Sequence, residues 1–339
     1  MKVLVLLEFG IPPYRDFLFN FLNQHPDIEN FFVIHTGQKF PEYNYEYTTK
    51  KVDTFKIFNI YFHKSVLEII KDYDVIISSF HVFRPMCYLP TIWINKKWIF
   101  WMTGVGRNNY PTINKIFRSY FIQKANSLIV YTENAKKEVI SNWSINPKKI
   151  KVANNTLEVT NSEFSDYERK YFLYVGRIQK RKGLLKAIKA IESLKREYSI
   201  SPLFKIVGDG EYKDELQFYV NSNSLTKEIQ FEPGTYDDEK LKSHYQSALG
   251  YLSPDHVGLG VVHSFSYGIP VITCKNKHHA EEFNYCNPQN SFIYDKEEQL
   301  VDTLKNILNN KGLTKVRGKK AFKFYKQNFH FKLQGNCND

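Results

Sequence analysis

Long apolar runs are missing from this sequence. No segment approaches the ~18 consecutive apolar residues that a membrane-spanning helix needs, although 42% of the 339 residues are hydrophobic. Charged residues make up 24%, a balance that is typical of globular proteins and excludes a disordered chain. One hydrophobic core rarely grows past about 300 residues, so the length predicts two domains of ordinary size.

Cysteine is scarce, and its spacing argues against two kinds of site. The four cysteines form no Cys-x-x-Cys pair and show no zinc-ligand spacing. Disulfides are rare in proteins of the reducing cytosol. The sequence therefore predicts reduced thiols in a cytoplasmic protein. The four residues are Cys87, Cys274, Cys286 and Cys337.

Acidic residues are nearly absent from two segments of a chain whose net charge is +12. Residues 75–154 contain 12 Lys or Arg and two acids, and residues 303–338 contain nine and none. Clustered positive charge suits a phosphate-bearing ligand, an anionic membrane surface or a nucleic acid. Trp93, Trp98 and Trp101 in the first segment suit contact with a membrane, although a core position is the favoured alternative for each of them; no recognition motif supports a nucleic acid.

Short apolar runs alternate with amphipathic stretches along the chain, a pattern that predicts parallel sheets covered by helices on both faces. The pattern lapses over 158–169 and then restarts. We therefore expect one domain over 1–160 and a second over 165–317, with 318–339 packing back on the first domain. Strands are predicted at 2–7, 30–35, 74–79, 98–102, 127–132, 150–153, 171–175, 203–207, 229–231, 250–253, 271–273 and 290–294.

A basic loop follows the first predicted strand of the second domain. Residues 175–183 read V-G-R-I-Q-K-R-K-G and precede a predicted helix. A helix N-terminus presents free N–H groups and partial positive charge, and Arg177 and Lys182 would add formal charge there. The pattern suits a diphosphate. The alternative is that Gly176 and Gly183 serve only as turn glycines in a solvated loop.

Two further glycine-containing segments follow predicted strands. Gly208 and Gly210 stand directly after the strand at 203–207 and permit a close backbone approach. In the other segment, residues 253–272, Asp255 and His263 lie eight positions apart around a loop that opens a short helix. A plain strand–loop–helix–strand unit is the alternative. The residues of that loop are Gly258, Leu259 and Gly260.

These segments resemble the C-terminal domain of retaining glycosyltransferases of the GT-B fold, specifically glycosyltransferase family 4. The stretch S-F-S-Y-G-I-P-V-I (264–272) and the loop glycine Gly258 carry the resemblance, and Y-V-G-R…K-G and V-G-D-G follow in the family's order and spacing. Pro13-Tyr14-Arg15 is similar to a signature of polysaccharide-assembling members. The resemblance covers nearly the whole chain. It implies two Rossmann-like α/β domains facing a central cleft, with a C-terminal helix returning to the N-terminal domain.

The resemblance also implies roles for the candidate residues. Arg177 and Lys182 would stabilise a leaving diphosphate, and Asp255 would contact hydroxyls of the donor sugar; these three are the catalytic candidates. His263 stands where the family holds the nucleotide ribose. The donor-binding candidates are Gly176, Gly208, Gly210, Gly258, Leu259, Gly260, His263 and Glu282. The acceptor-side candidates are Glu8, Gly10, Tyr14, Arg15, Thr103 and Arg107.

Several residues depart from the family pattern. Asp255 and His263 each replace a glutamate, and Thr103 replaces a histidine that many members place near the reacting sugar. A threonine can form hydrogen bonds but cannot act as a base. Glu282 lies where relatives carry a donor-facing loop, although an exposed acidic pair with Glu281 is the alternative. For His81, which follows a strand, a structural role is the favoured interpretation.

The implied activity is a retaining transfer from a UDP- or GDP-linked nucleotide-sugar to a glycan or lipid-linked oligosaccharide. The implied setting is surface-polysaccharide assembly, that is, capsule, O-antigen or lipopolysaccharide. We expect no cofactor and no metal, because the cations Arg177 and Lys182 would take the place of a metal ion. The expected enzyme is cytoplasmic and peripheral on the inner face of the membrane. A degenerate partner or scaffold subunit and a nucleotide-sugar epimerase are the alternatives.

Overall fold

A computed structural model describes residues 1–37, 45–81, 83–104, 112–164, 166–275 and 279–329. The side chains of 112–115 also lie outside this description. Contacts divide the chain into two compact units, Met1–Asn155 and Thr156–Asp339, which are called unit 1 and unit 2 here. The predicted linker at 158–169 begins three residues after the division. The exact domain limits and the return of 318–339 to the N-terminal domain stay predictions.

Unit 1 is built on a parallel sheet with the strand order β3-β2-β1-β6-β7-β8-β9 in the described residues. A separate antiparallel hairpin, β4–β5, lies outside this sheet. The strands are β1 (Lys2–Leu6), β2 (Asn30–His35), β3 (Thr48–Lys51), β4 (Thr54–Ile57), β5 (Ile60–His63), β6 (Val75–Ser78), β7 (Lys97–Met102), β8 (Ser127–Val130) and β9 (Ile150–Val152). The α-helices are α1 (Asp16–Asn23), α2 (Val66–Ile70), α3 (Thr112–Lys124) and α4 (Glu133–Trp143), with 3-10 turns at Pro13–Arg15, Pro85–Cys87, Leu89–Ile92 and Pro147–Lys149.

The central strand β1 shows why this sheet is covered on both faces. Successive side chains of a strand point to opposite faces. Leu4 and Leu6 pack in one buried cluster, and Val3 and Val5 pack in another. The apolar residues of β1 thus pack into a core on each face of the sheet, as the continuous apolar run predicted.

Unit 2 contains a second parallel sheet, with the order β12-β11-β10-β13-β14-β15 in the described residues. Its strands are β10 (Tyr171–Val175), β11 (Leu203–Val207), β12 (Ile229–Glu232), β13 (Ala248–Leu252), β14 (Val271–Cys274) and β15 (Ser291–Tyr294). Its α-helices are α5 (Leu184–Tyr198), α6 (Lys213–Ser222), α7 (Asp238–Gln246), α8 (Gly260–Ser266), α9 (Gln299–Asn309) and α10 (Lys311–Asn328), with 3-10 turns at Lys180–Lys182 and Glu281–Tyr285.

Helix α10 packs on α8 within unit 2. Ala321 and Tyr325 join the buried core of this unit. Gly318 of α10 lies against the turn that follows α8: a Cβ atom on Gly318 would be 2.1 Å from the carbonyl oxygen of Gly268. The segment 330–339, which the sequence assigns to the same C-terminal element, lies outside the described residues.

The predicted α/β class is confirmed, and all twelve predicted strands are present within one or two residues. The strands that the sequence did not predict are β3, β4 and β5. Within the described residues, no helix is long and apolar enough to cross a membrane. Three cysteines are buried and free, in agreement with the expected thiols, while Cys337 lies outside the description.

Candidate active site

Two strand-end loops of unit 2 are packed backbone against backbone. The amide of Gly176 donates to the carbonyl of Val207 at 3.0 Å, and the amide of Ile178 donates to that of Asp209 at 2.9 Å. A Cβ atom on Gly208 would lie 2.0 Å from the Gly176 carbonyl oxygen, and Gly208 has a φ of +147°. Glycine is therefore required at this position by both space and conformation.

The second glycine of the same loop is equally constrained. A Cβ atom on Gly210 would lie 2.3 Å from the carbonyl oxygen of Ile178. The amide of Tyr212 in turn donates to that same carbonyl at 3.2 Å. The sequence reading of V-G-D-G as a point of close backbone approach agrees with this geometry.

The basic loop lies at the carboxyl end of β10, where ligands of parallel sheets usually bind. Arg177 is exposed, and its guanidinium forms no ion pair with any acidic residue that the structure describes. Gly183, with a φ of +73°, leads into helix α5. The first turn of α5 carries no acidic residue. The positive end of this helix dipole is thus not neutralised by the helix's own side chains.

Asp255 follows β13, the neighbour of β10 in the sheet, and therefore lies beside the basic loop. Its amide donates to the carbonyl of Lys182 at 3.4 Å. Its two carboxylate oxygens lie 2.9 and 2.8 Å from Nζ of Lys186, which also pairs with Glu297 at 2.9 Å. A Cβ atom on Gly183 would lie 2.8 Å from Cγ of Asp255, so this glycine permits the approach.

His256 is a site residue that sequence reasoning missed. It is buried, and its two ring nitrogens contact Nη1 of Arg181 and, at 3.3 Å, Nζ of Lys182. The Nζ of Lys182 also donates to the carbonyl oxygen of His256 at 3.3 Å. The sequence carried no local signal for it, because the two loops meet only through the pairing of β10 with β13 in the folded sheet.

The loop after Asp255 combines open space with a tight contact. A Cβ atom on Gly258 would meet nothing within 4 Å. One on Gly260 would lie 2.3 Å from the hydroxyl oxygen of Tyr251, which donates to the carbonyl of Val175 at 3.2 Å. Leu259, between them, is half-buried against the core. Gly260 thus fixes the start of α8, whereas Gly258 borders unfilled space.

His263 lies on α8 with its ring centroid 6.0 Å from that of Tyr245. Burial lowers the pKa of His263 to about 4. The imidazole is therefore neutral at physiological pH and can both donate and accept a hydrogen bond. That capacity is the one that a ribose hydroxyl needs.

Glu282 is buried, so an exposed acidic pair does not describe it. Its 3-10 turn is tied to the loop after Asp255, because the amide of Ala280 donates to the carbonyl of Val257 at 3.1 Å. The amide of Val257 donates in turn to Nδ1 of His279 at 3.2 Å. These contacts bring the turn of Glu282 next to the loop that begins at Asp255.

Unit 1 has a site of its own, a cavity of about 340 Å³ at the carboxyl ends of β1, β6 and β7. The sequence predicted five of the residues that line it. Arg107 lies outside the described residues. The predicted residues that line the cavity are Glu8, Gly10, Tyr14, Arg15 and Thr103, and the additional polar or aromatic ones include His81, Trp101 and Tyr131.

Several buried polar atoms of this cavity have no hydrogen-bond partner among the described residues. They include Oε2 of Glu8, Nδ1 of His81 and Nε1 of Trp101. Buried polar groups are nearly always paired in folded proteins. Since His81 leaves a buried ring nitrogen unpaired here, a purely structural role explains it poorly. A hydroxyl-rich ligand would supply the missing partners.

Arg15 orients the aromatic wall of the cavity. Its guanidinium lies 3.8 Å from the centroid of the Trp101 ring and donates to the Tyr131 hydroxyl. Burial raises the pKa of Glu8, and the nearby side chains of His81 and Arg84 and the hydroxyl of Ser79 only partly oppose that rise. The Glu8 carboxyl is thus biased towards its neutral, hydrogen-donating form.

The raised pKa predicts how Glu8→Gln changes stability with pH. Stability from a neutral carboxyl is present below its ordinary pKa of 4.5 and is lost as the pH rises through its higher folded-state pKa. Glutamine stays neutral, so the melting temperature of the variant should gain on that of the wild type as the pH rises from about 4 to about 8. Thermal unfolding of both proteins measures the difference.

The control for this measurement is Glu29→Gln, which alters an exposed carboxylate of the same unit. Its melting temperature should follow that of the wild type across the range. A constant difference between Glu8→Gln and the wild type would show that the pKa of Glu8 is the same in the folded and unfolded protein, and so is not raised.

Residues 157–324 match the family described as glycosyl transferases group 1. This stretch contains every candidate residue of unit 2 and ends within helix α10. The second unit of the chain belongs to the glycosyl transferases group 1 family. Membership of this glycosyltransferase family supports a transferase activity.

The curated relatives of this chain are distant in sequence. An uncharacterized glycosyltransferase of Methanocaldococcus jannaschii, MJ1059, is 25% identical over 62% of this chain and 58% of its own. A Campylobacter jejuni enzyme named N-acetylgalactosamine-N,N'-diacetylbacillosaminyl-diphospho-undecaprenol 4-alpha-N-acetylgalactosaminyltransferase is 27% identical over 36% of this chain and 34% of its own. The chain thus spans 58% of the first relative's length and 34% of the second's.

The chain has the GT-B fold, with two Rossmann-like domains. The solved structure of Anabaena HepE in complex with UDP superposes with a TM-score of 0.74. It is 14% identical in sequence, and the match covers 97% of this chain and 96% of HepE. The same Anabaena protein has also been solved with UDP-glucose.

Proposed function

We propose that this chain is a retaining glycosyltransferase that uses a nucleotide-sugar donor. It transfers the sugar to a hydroxyl of a glycan or lipid-linked acceptor in surface-polysaccharide assembly. The observation that carries the proposal is the basic loop at the carboxyl end of β10. There, Arg177 is exposed without an acidic partner among the described residues, and Lys182 contacts His256 beside Asp255.

The donor proposal rests on the charge and backbone geometry of this loop. A diphosphate needs cations and N–H donors, and the loop offers Arg177, Lys182 and the start of α5. The neutral imidazole of His263 suits a ribose hydroxyl. The complexes of Anabaena HepE with UDP and UDP-glucose support a donor of this class, either UDP- or GDP-linked.

The reaction breaks the bond between the anomeric carbon and the phosphate oxygen and forms a bond to the acceptor hydroxyl on the same face. The hydroxyl proton passes to the departing phosphate. Negative charge grows on the diphosphate as the bond breaks, and Arg177 and Lys182 stabilise it electrostatically. These cations take the place that a metal ion has in other transferases, so we propose that transfer is metal-independent.

The acceptor proposal rests on the cavity of unit 1. Its volume of about 340 Å³ is that of an ordinary small-molecule site. Glu8, His81 and Trp101 present unpaired buried polar atoms to a ligand rich in hydroxyls. The name of the Campylobacter relative includes a diphospho-undecaprenol carrier, which supports a lipid-linked acceptor.

One observation favours a second candidate function, that of a non-catalytic partner subunit. Both oxygens of Asp255 are engaged by Lys186, so this carboxylate is already paired where the resemblance assigns it to the donor sugar. A partner subunit would bind the nucleotide-sugar without turning it over.

Ligand-induced thermal stabilisation followed by an activity assay distinguishes the two functions. We expect one nucleotide and its sugar conjugates, without added metal, to stabilise the protein by about 2.7 kcal/mol at a hundredfold excess over Kd. Product formed from the stabilising donor, with its anomeric configuration read by NMR, establishes retaining transfer. Stabilisation without any product would establish the partner subunit, and no stabilisation would contradict both.

A further inference from the structure

The hairpin of β4 and β5 has one face attached to unit 1. Thr54, Lys56, Tyr61 and His63 share this face, since residues two apart lie on one side and Lys56 pairs with Tyr61. The amide of Tyr61 donates to the carbonyl of Phe83 at 2.8 Å. The guanidinium of Arg84 lies 4.4 Å from the Tyr61 ring centroid and within 3.4 Å of Nε2 of His63.

The opposite face of the hairpin is entirely apolar. Phe55 pairs across the strands with Phe62, and their rings stack with centroids 5.2 Å apart. Ile57 pairs with Ile60. Phe55, Ile57 and Ile60 are 44%, 49% and 39% exposed, so none of the residues that the structure describes covers this face. A two-stranded hairpin gains little stability in water without burying such a face.

The turn at the tip of the hairpin also exposes a large apolar side chain. Phe58, in the turn between the strands, is 92% exposed and has a φ of +53°. Glycine or asparagine is favoured in the left-handed region, and a bulky residue there is a strained exception. Folding stability therefore does not explain a phenylalanine at this position, whereas contact with an apolar partner does.

Positive charge surrounds this apolar surface. Lys50 and Lys51 end β3, and Lys56 and Lys64 belong to or follow the hairpin; all four are exposed. Within the described part of unit 1, none of the four pairs with an acidic side chain. An apolar tip that is flanked in sequence by four exposed lysines, with Asp53 as the one acid among them, matches the boundary between headgroups and acyl chains of an anionic membrane.

We propose that the β4–β5 hairpin docks unit 1 on an anionic phospholipid bilayer, with Ile57 and Phe58 inserted and the four lysines on the headgroups. This inference deepens the proposed lipid-linked acceptor, because such an acceptor lies in a membrane. The hairpin also takes the place of two tryptophans that the sequence suggested as membrane contacts, since Trp98 is buried in the core and Trp101 lines the cavity.

Cosedimentation of the full chain with vesicles tests the proposal. Wild-type protein should bind vesicles of phosphatidylcholine mixed with phosphatidylglycerol, and bind much less to phosphatidylcholine alone. Phe58→Asn, which suits the left-handed turn, should weaken binding about tenfold or more, because a large apolar side chain no longer leaves water. Phe58→Trp should keep the binding, and Lys50→Gln should lower it about fivefold at low salt.

The matched control is Phe218→Asn, which removes another exposed phenylalanine, 74% exposed on α6 of unit 2. It should bind vesicles like the wild type. Binding of Phe58→Asn at wild-type strength would overturn the proposal. So would a wild-type protein that ignores both vesicles, or one that forms a dimer that Phe58→Asn disrupts. The assay contains neither donor nor acceptor, so its failure leaves the transfer proposal standing.

Discussion

Arg177→Ala is expected to lower kcat by about 10²–10³-fold while leaving the melting temperature close to that of the wild type. The side chain is exposed and contributes no ion pair to the described fold, so its removal costs little stability. Its proposed role is to stabilise negative charge that grows on the leaving diphosphate. That interaction is strongest in the transition state, so the loss should appear in kcat and not only in KM.

The control for this prediction is Arg196→Ala, which removes an arginine that is also exposed, on the last turn of α5. Its kinetics should match those of the wild type. Lys182→Ala is a less clean variant, because Lys182 also contacts His256 and its loss disturbs the loop. Folded Arg177→Ala protein with a wild-type kcat would refute the diphosphate role of this loop.

The sequence predicted the sheets well because their strands are buried on both sides. Strands such as β1 and β10 leave few polar positions, so a continuous apolar run indicates them clearly. The strands it did not predict are of another kind. β3 reads T-T-K-K, and every residue of β4 is exposed. Neither strand therefore has the run of buried apolar residues that would have indicated it. Helix α6 was also missed, since it buries only Leu216 and Val220.

The sequence predicted the glycines and the cations of the candidate site, but not which side chains contact one another there. The need for glycine at 208 and 210 follows from backbone conformation, which local sequence indicates. Lys186 forms an ion pair with Asp255, and Lys182 contacts His256. Both contacts exist because β10 and β13 are neighbours in the sheet. Strand order is a property of the whole sheet, and no single segment encodes it. The unpaired ring nitrogen of His81 is likewise visible only once the cavity exists.

Gly208→Ala is expected to lower both stability and donor binding. The added methyl group would lie 2.0 Å from the carbonyl oxygen of Gly176, and an alanine at a φ of +147° is strained in addition. The conformational strain alone costs about 1–3 kcal/mol, and each kcal/mol lowers the melting temperature of a unit this size by about 2–4 °C. Relieving the clash must move the loop that carries Arg177. Stabilisation by the nucleotide should therefore be lost along with several degrees of melting temperature.

Gly258→Ala separates these two effects, because the same change is made where a methyl group meets no atom within 4 Å. Its free energy of unfolding should stay within about 0.5 kcal/mol of the wild type. Its affinity for the donor should nevertheless fall, since the methyl group projects into space that we assign to the nucleotide-sugar. Thermal unfolding with and without the stabilising nucleotide measures both quantities for both variants. If Gly258→Ala binds the donor normally, the donor lies elsewhere along this sheet edge; if Gly208→Ala melts like the wild type, the two loops are not packed as tightly as their backbones indicate.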